Sequence, residues 1–228
     1  MSRKAVLFDL DNTLINRKEA FHVFSERLLD QFFECGAEAR EEMLDFIRIA
    51  DRNGYRNKRE LFEEIKGKYV LKDPAVSVED LLKYWFSEFF KCTVLMDAAK
   101  EVLDSIKDQG YVLGLITNGS VHTQYRKLDT ARLREYFEVI VISDEVNLKK
   151  PDQRIFELAL HRLGADAQTS WYVGDHPVND VHGARQAGLQ PVWFEGFMEW
   201  EKHVPKPAHV IRHLHDLLPI LAISTYSR

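Results

Sequence analysis

The chain has 228 residues, of which 45% are hydrophobic and 29% charged, and its formal net charge at pH 7 is -5. This composition is typical of a globular protein with a sizeable core, and the acidic balance disfavours general nucleic-acid binding, which needs a basic face. No apolar run approaches the roughly 20 residues that cross a bilayer, and the start Met-Ser-Arg-Lys leaves no room for a signal peptide, so we expect a cytoplasmic protein without membrane partners.

The first predicted strand ends in two carboxylates. Apolar residues 6–8 lead into Asp9-Leu10-Asp11-Asn12-Thr13. Side chains at i and i+2 lie on one face of an extended strand, so Asp9 and Asp11 are expected to project into the same volume. Two like charges ~4 Å apart repel by about 4 kcal/mol at an effective dielectric of roughly 20. A turn also accommodates aspartate, but it does not need this pair, which therefore indicates a bound cation or a reaction.

After Thr13 the hydrophobic period changes from 2 to 3.6 and predicts four helices, at residues 18–34, 38–51, 58–68 and 78–90. Helices then alternate with β-rich runs. The helices are predicted at 97–109, 120–129, 152–163 and 178–187, and the strands at 111–116, 138–142, 170–173 and 190–194. The region containing His203, His209, His213 and His215 is interpreted as a polar tail.

This order of elements predicts an α/β fold with a Rossmann-like, mostly parallel sheet and helices on both faces. The first strand has the same apolar character as the later ones, so it belongs with them. We therefore predict a catalytic core of residues 1–15 and 94–228. An all-helical cap domain, residues 16–93, would be inserted after the first strand.

Ligands of such sheets bind beyond the carboxyl ends of the strands. Polar residues cluster at these expected positions: Thr117 and Asn118, the pair Lys149 and Lys150 before Pro151, and Asp175 and Asp180. A carboxylate that attacks phosphorus forms an acyl phosphate. A second carboxyl group nearby can protonate the leaving oxygen and then activate water. The sequence therefore predicts an active site at this edge.

These residues form four motifs that resemble those of the haloacid dehalogenase-like superfamily. The signature Asp-x-Asp-x-Thr is similar to residues 9–13, and an apolar strand ending in threonine matches residues 114–119. A lysine before proline matches Lys150, and Gly-Asp followed by a second aspartate matches residues 174–180. The resemblance covers nearly the whole chain, since the four motifs follow one another in the expected order. The resemblance implies a phosphatase-type hydrolase with an all-helical cap.

The resemblance also implies roles for the acidic residues. Asp9 would be the nucleophile, and Asp11 the general acid and then the general base. Mg²⁺ would be held by the Asp9 carboxylate, the Asp11 backbone carbonyl and the Asp175 carboxylate, all of them hard oxygen donors. Asp180 would orient metal-bound water or pair with Lys150. Asp175 has a plainer interpretation as the residue that begins a helix.

The same resemblance implies that Thr117, Asn118 and Lys150 bind the substrate phosphate, through a hydroxyl, a backbone N–H and an ammonium group. Thr117 is also a common residue at a strand end. Lys150 could simply precede a helix that begins at Pro151, although a lysine there opposes the helix dipole. Lys149 is the alternative lysine, because spacing alone does not exclude it.

Asp11 favours phosphoryl transfer over dehalogenation, because a halide leaves without protonation. We expect a Mg²⁺-dependent phosphohydrolase that acts on a small phosphorylated metabolite through an aspartyl phosphate. The cap would exclude bulk water. A phosphomutase would share every core residue, and a phospho-sensing binding protein is an alternative of another class. The expected partner is a small phosphate ester, and the expected assembly is a monomer or homodimer.

Overall fold

The computed structural model describes residues 3–222, which form two compact units. The first contains the chain up to Asn16 and from Leu95 onward, and we call it the sheet unit. The second is Arg17–Val94, and we call it the helical unit. The helical unit follows the first strand in the chain, so the predicted insertion of helices after that strand is confirmed.

The sheet unit is built on six parallel strands in the order β3-β2-β1-β4-β5-β6. They are β1 Ala5–Phe8, β2 Val112–Thr117, β3 Val139–Ile142, β4 Trp171–Gly174, β5 Gln190–Phe194 and β6 His209–Ile211. The predicted α/β fold is confirmed, and β1 lies in the middle of the sheet. The histidine region interpreted from the sequence as a polar tail instead contains β6, which at three residues is too short to be recognised from its pattern.

The helical unit contains α1 Arg17–Phe32, α2 Ala37–Asp51, α3 Lys58–Lys68 and α4 Val78–Glu88. Its apolar core is rich in aromatic rings. Phe24 is fully buried and contacts Trp85 and Phe89 edge-on, with ring centroids 4.9 and 5.7 Å away. Such pairs stabilise a core beyond their buried area. Ser77 caps α4, since its side chain accepts from the Asp80 backbone N–H and the Asp80 side chain accepts in return.

The helices of the sheet unit pack on both faces because successive β1 side chains point to opposite sides. Val6 and Phe8 join one apolar cluster, and Ala5 and Leu7 the other. The helices are α5 Ala99–Asp108, α6 Val121–Ala131, α7 Ser143–Val146, α8 Gln153–Leu163, α9 Gly183–Gln186 and α10 Leu217–Ile220. Helices α5, α6 and α10 cover the first cluster, and α8 and α9 the second. Within residues 3–222, none of the helices is long and apolar enough to cross a membrane.

Short 3-10 turns lie at Arg52–Gly54, Phe89–Cys92, Arg134–Tyr136, Ala167–Thr169 and Leu214–Asp216, and a π-helical segment at Pro177–His182. The chain leaves the sheet unit and returns to it at neighbouring points. Ile15 forms an antiparallel bridge with Leu95, and the Met96 N–H donates to the Leu14 carbonyl at 2.9 Å. The two ends of the insertion are therefore paired within the sheet unit.

Candidate active site

The acidic pair lies just beyond the end of β1. The strand ends at Phe8, and the Asp9 N–H still donates to the Val173 carbonyl of β4 at 2.9 Å. The chain then turns at Asn12, which has a left-handed φ of 61° that asparagine tolerates better than most residues. We expected one extended strand to carry both carboxylates, but in the structure the strand ends before them. They have different partners.

Lys150 is the centre of a buried polar network. Its ammonium donates to Asp9 Oδ1 at 2.6 Å, to Asp180 Oδ1 at 2.7 Å and to the Tyr172 hydroxyl at 2.9 Å. The Tyr172 hydroxyl lies 3.2 Å from the Ile116 carbonyl and 3.1 Å from Asp180 Oδ1. Lys150 is only 3% exposed. An ammonium so deeply buried requires paired charges, and these two carboxylates supply them.

Three carboxylates converge beside this lysine. Asp9, Asp175 and Asp180 each offer an oxygen, and these three oxygens lie within 4.8 Å of one another. Gly174 permits the arrangement, because a Cβ at that position would lie 2.4 Å from Asp180 Cγ. The structure thus brings together the predicted ligands Asp9 and Asp175, and it places Asp180 in the same cluster.

Asp180 is carried by the π-helical segment. The sequence analysis predicts an ordinary helix over residues 178–187; the structure instead has Pro177–His182 in π geometry, followed by α9. His176 caps the segment, because its Nδ1 accepts from the backbone N–H groups of Val178 and Asn179 at 3.1 and 3.3 Å. The His176 N–H in turn donates to Asp180 Oδ2 at 2.9 Å. Both Asp180 oxygens are thereby fixed.

Burial shapes the charge of the cluster. Burial, opposed by Lys150 and reinforced by Asp180, raises the pKa of Asp9 to about 7. Burial, Asp180 and Asp9 also raise the pKa of Asp175 well above its ordinary value. Although burial alone would lower it, Asp180 and Asp9 hold the pKa of Lys150 above its usual range, so this residue stays charged. Three buried carboxylates beside one ammonium form a set of hard oxygen donors that suits a divalent metal ion.

The predicted phosphate-binding residues lie at the same edge. Thr117 ends β2 and is 1% exposed. The Asn118 side chain holds the backbone of Lys150, since its Oδ1 accepts from the Lys150 N–H at 3.0 Å and its Nδ2 donates to the Lys150 carbonyl at 3.1 Å. Lys149 is exposed. Of the two candidate lysines, Lys150 is the one whose ammonium the structure places among the carboxylates.

The partners of Asp11 were not predicted from the sequence. Lys127 Nζ donates to both Asp11 oxygens at 2.8 and 2.7 Å, and Gln124 Nε2 donates to Asp11 Oδ2 at 3.1 Å. Gln124 Nε2 also donates to Thr117 Oγ1 at 2.6 Å. Both residues are on α6, which begins after Ser120 at the site edge. Their i, i+3 spacing places them on one helix face, a signal that could have found them.

Comparisons with known proteins identify the family of this chain. A family model described as haloacid dehalogenase-like hydrolase matches residues 6–194. The pyrophosphatase PpaX of Bacillus pumilus is 30% identical over 221 residues, which cover 95% of this chain and 95% of the relative. The glyceraldehyde 3-phosphate phosphatase of Pyrococcus furiosus is 28% identical over 229 residues, which cover 96% of this chain and 92% of the relative.

A solved structure supports the fold. The hydrolase YfnB of Bacillus subtilis, crystallised with magnesium, has a TM-score of 0.75 to this chain at 24% sequence identity. The match covers 98% of this chain and 100% of that one. Both proteins therefore share the fold.

The two adjacent lysines allow a matched test of the buried network. We expect Lys150→Met to lower the free energy of unfolding by roughly 3–5 kcal/mol at pH 7, because it leaves two buried carboxylates without their cation. Lys149→Met should change it by less than about 0.5 kcal/mol, as exposed substitutions usually do. Urea unfolding in EDTA measures both. Equal effects of the two substitutions would contradict the assigned network.

The raised pKa of Asp9 makes stability depend on pH. The folded protein keeps the Asp9 proton up to about pH 7, whereas the ordinary carboxyl releases it near 3.8. The folded state therefore binds more protons in this window, and stability falls as pH rises. In EDTA, Asp9→Asn should gain roughly 2–3 kcal/mol relative to wild type between pH 5 and pH 8.

The control for this experiment is Asp108→Asn, since Asp108 is an exposed carboxylate of the same unit. Its difference from wild type should stay level over the same pH range, as measured by urea unfolding. An Asp9→Asn difference that is also level would show that Asp9 is not protonated in the folded protein near neutrality.

Proposed function

The chain belongs to the haloacid dehalogenase-like hydrolases, and on that premise we propose that it is a Mg²⁺-dependent phosphohydrolase that cleaves a small phosphate monoester through an aspartyl phosphate. The observation that carries this proposal is the cluster of Asp9, Asp175 and Asp180 around the Lys150 ammonium. A nucleophilic carboxylate, a candidate metal site and a fixed cation lie within one small volume. That combination suits attack on a phosphoryl group, which carries negative charge.

The carboxylates of Asp9 and Asp175 and the backbone carbonyl of Asp11 would hold the metal ion, with Asp180 as a further acidic neighbour. Oxygen donors of this kind match Mg²⁺, which keeps several waters and takes an oxygen from a phosphate. When bound, Mg²⁺ would offset the repulsion between the acidic cluster and the substrate and stabilise charge on the transferring phosphoryl group.

Asp9 carries out the first step. Lys150 donates to Oδ1, so we assign Oδ2 as the atom that attacks phosphorus. The bond between phosphorus and Asp9 forms as the bond to the ester oxygen breaks, and Asp11 gives its proton to that leaving oxygen. Thr117, the Asn118 N–H and Lys150 would bind the phosphoryl oxygens during the transfer, with Lys150 exchanging one of its three hydrogen bonds for a phosphoryl oxygen. An alcohol leaves, and Asp9 carries the phosphoryl group.

Asp11 then acts as the base. It takes a proton from a water molecule whose oxygen attacks phosphorus, and the bond between phosphorus and Asp9 breaks. Inorganic phosphate is released with Asp9 as a carboxylate and Asp11 protonated, so both residues return to their starting state. A sugar hydroxyl in place of this water would make the protein a phosphomutase, and product analysis distinguishes the two.

The names of two relatives support the proposed substrate class. One is named for glyceraldehyde 3-phosphate and another for pyrophosphate. Both are small compounds that carry phosphoryl groups, and glyceraldehyde 3-phosphate is a monoester, which supports a small phosphorylated metabolite as the substrate of this chain. A panel of sugar phosphates, pyrophosphate, nucleotides and amino-acid phosphates, assayed for released inorganic phosphate, would identify the preferred member.

The proposed nucleophile is tested with p-nitrophenyl phosphate. We expect turnover that requires Mg²⁺, is abolished by EDTA, and falls by at least about a hundredfold in Asp9→Asn, because an amide oxygen is a poor nucleophile. Release of p-nitrophenol is measured by absorbance. Asp9→Asn with wild-type turnover would show that another residue attacks phosphorus.

The second aspartate is tested by trapping. In Asp11→Asn the water would lack its base, so the aspartyl phosphate should accumulate and multiple turnover should slow by at least about a hundredfold. Intact-protein mass spectrometry after acid quenching would show the added phosphoryl group, and Asp9→Asn serves as the control that cannot carry it. Full multiple-turnover rates in Asp11→Asn would remove Asp11 from the mechanism.

A further inference from the structure

We propose that Lys127 and Gln124 are positioning residues of the reaction. They hold the Asp11 carboxylate in the orientation in which it accepts a proton from the attacking water, and Gln124 links that carboxylate to Thr117. This inference rests on the proposed function, in which Asp11 is the acid and base. Neither residue belongs to the four motifs on which the sequence analysis relied.

Lys127 donates hydrogen bonds to both oxygens of the Asp11 carboxylate. Its ammonium lies 2.8 Å from Asp11 Oδ1 and 2.7 Å from Oδ2. The Lys127 side chain is 5% exposed and that of Asp11 22%. Burial of an ammonium group on a helix is costly unless it is paired. Two short bonds from a buried cation fix the carboxylate plane, whereas an exposed pair would leave it mobile.

Gln124 connects the acid to the phosphate-binding hydroxyl. Its amide nitrogen has two hydrogens, and the structure gives it two acceptors, Thr117 Oγ1 at 2.6 Å and Asp11 Oδ2 at 3.1 Å. Gln124 is 2% exposed. Since Thr117 Oγ1 accepts this bond, its own hydrogen is directed elsewhere, which leaves the hydroxyl as a donor to a phosphoryl oxygen. One amide thus orders both groups relative to each other.

The close packing around Gln124 explains a glycine in the second motif. Gly119 has φ 150°, and a Cβ there would lie 3.0 Å from Gln124 Cδ. The Gly119 N–H donates to Ser143 Oγ at 3.0 Å, which fixes the turn between β2 and α6. The turn therefore places the start of α6 so that residues 124 and 127 reach the site edge.

A positioning role has a specific kinetic consequence. Misplacement of a proton-transfer group by about 1 Å lowers the rate of the chemical step strongly, while the groups that bind the phosphate are unchanged. Lys127→Met should therefore lower kcat for p-nitrophenyl phosphate by at least tenfold without raising KM, because slower hydrolysis of the aspartyl phosphate lowers both constants. Gln124→Leu should lower kcat and also raise KM, because it releases Thr117.

Two further substitutions of lysine complete this series. Lys107→Met removes an exposed lysine of α5 and should leave both constants within twofold of wild type. Lys127→Gln keeps one donor, so its kcat should lie between those of wild type and Lys127→Met; it also serves if the methionine variant does not fold. A normal kcat per folded molecule in the Lys127 variants, with only a lower Tm, would show a purely structural role and overturn the proposal.

A double-mutant cycle decides whether Lys127 acts through Asp11. If it does, Lys127→Met should change the residual kcat of Asp11→Asn by less than twofold. A loss in that background as large as in the wild-type protein would overturn the inference. The proposed function fails separately, through an Asp11→Asn protein that turns over at the wild-type rate.

Discussion

The buried ammonium of Lys150 is the interaction on which the site depends. It binds a carboxylate that follows β1 and another in the segment after β4, and it also binds the Tyr172 hydroxyl. Neither carboxylate would be stable at this depth without a cation, and the ammonium would not be stable without them. The network therefore fixes the edge of the sheet and orients Asp9 at once. The cluster holds three carboxyl groups for one ammonium group, so a bound divalent ion would stabilise their charged forms.

The parallel sheet makes this network possible. Asp9 and Lys150 are 141 positions apart in the chain, yet their strands and loops end at the same edge. In a parallel sheet the segments that follow the strands all begin at the same edge, so residues after β1, β2, β3 and β4 meet there. The central position of β1 places its carboxylates between the loops of β2 and β4. Residues far apart in the chain therefore meet in the structure, although no local sequence pattern predicts that they are in contact.

Sequence patterns predicted the strands and helices that have a clear period, and the motif residues at their ends. They missed β6, whose three residues include one histidine, and they missed the π geometry before α9. A π-helix differs from an α-helix by a shift of one residue in the backbone hydrogen bonds, and over one short segment this shift does not change the pattern of hydrophobic residues. The bond between Lys127 and Asp11 joins residues 116 positions apart. Such a contact depends on how α6 lies against the sheet, which a one-dimensional pattern does not contain.

The paired ends of the helical insertion have an evolutionary consequence. Because Ile15 and Leu95 bridge each other inside the sheet unit, the entry and exit of the inserted segment are a few ångströms apart whatever lies between them. Closing a longer or shorter loop at such a junction changes the free energy only slowly with length. The helical unit could therefore be replaced by another inserted domain, or shortened, while the register of β1 and its neighbouring strands is kept. Such a junction allows the candidate site of the sheet unit to stay the same while the inserted segment varies.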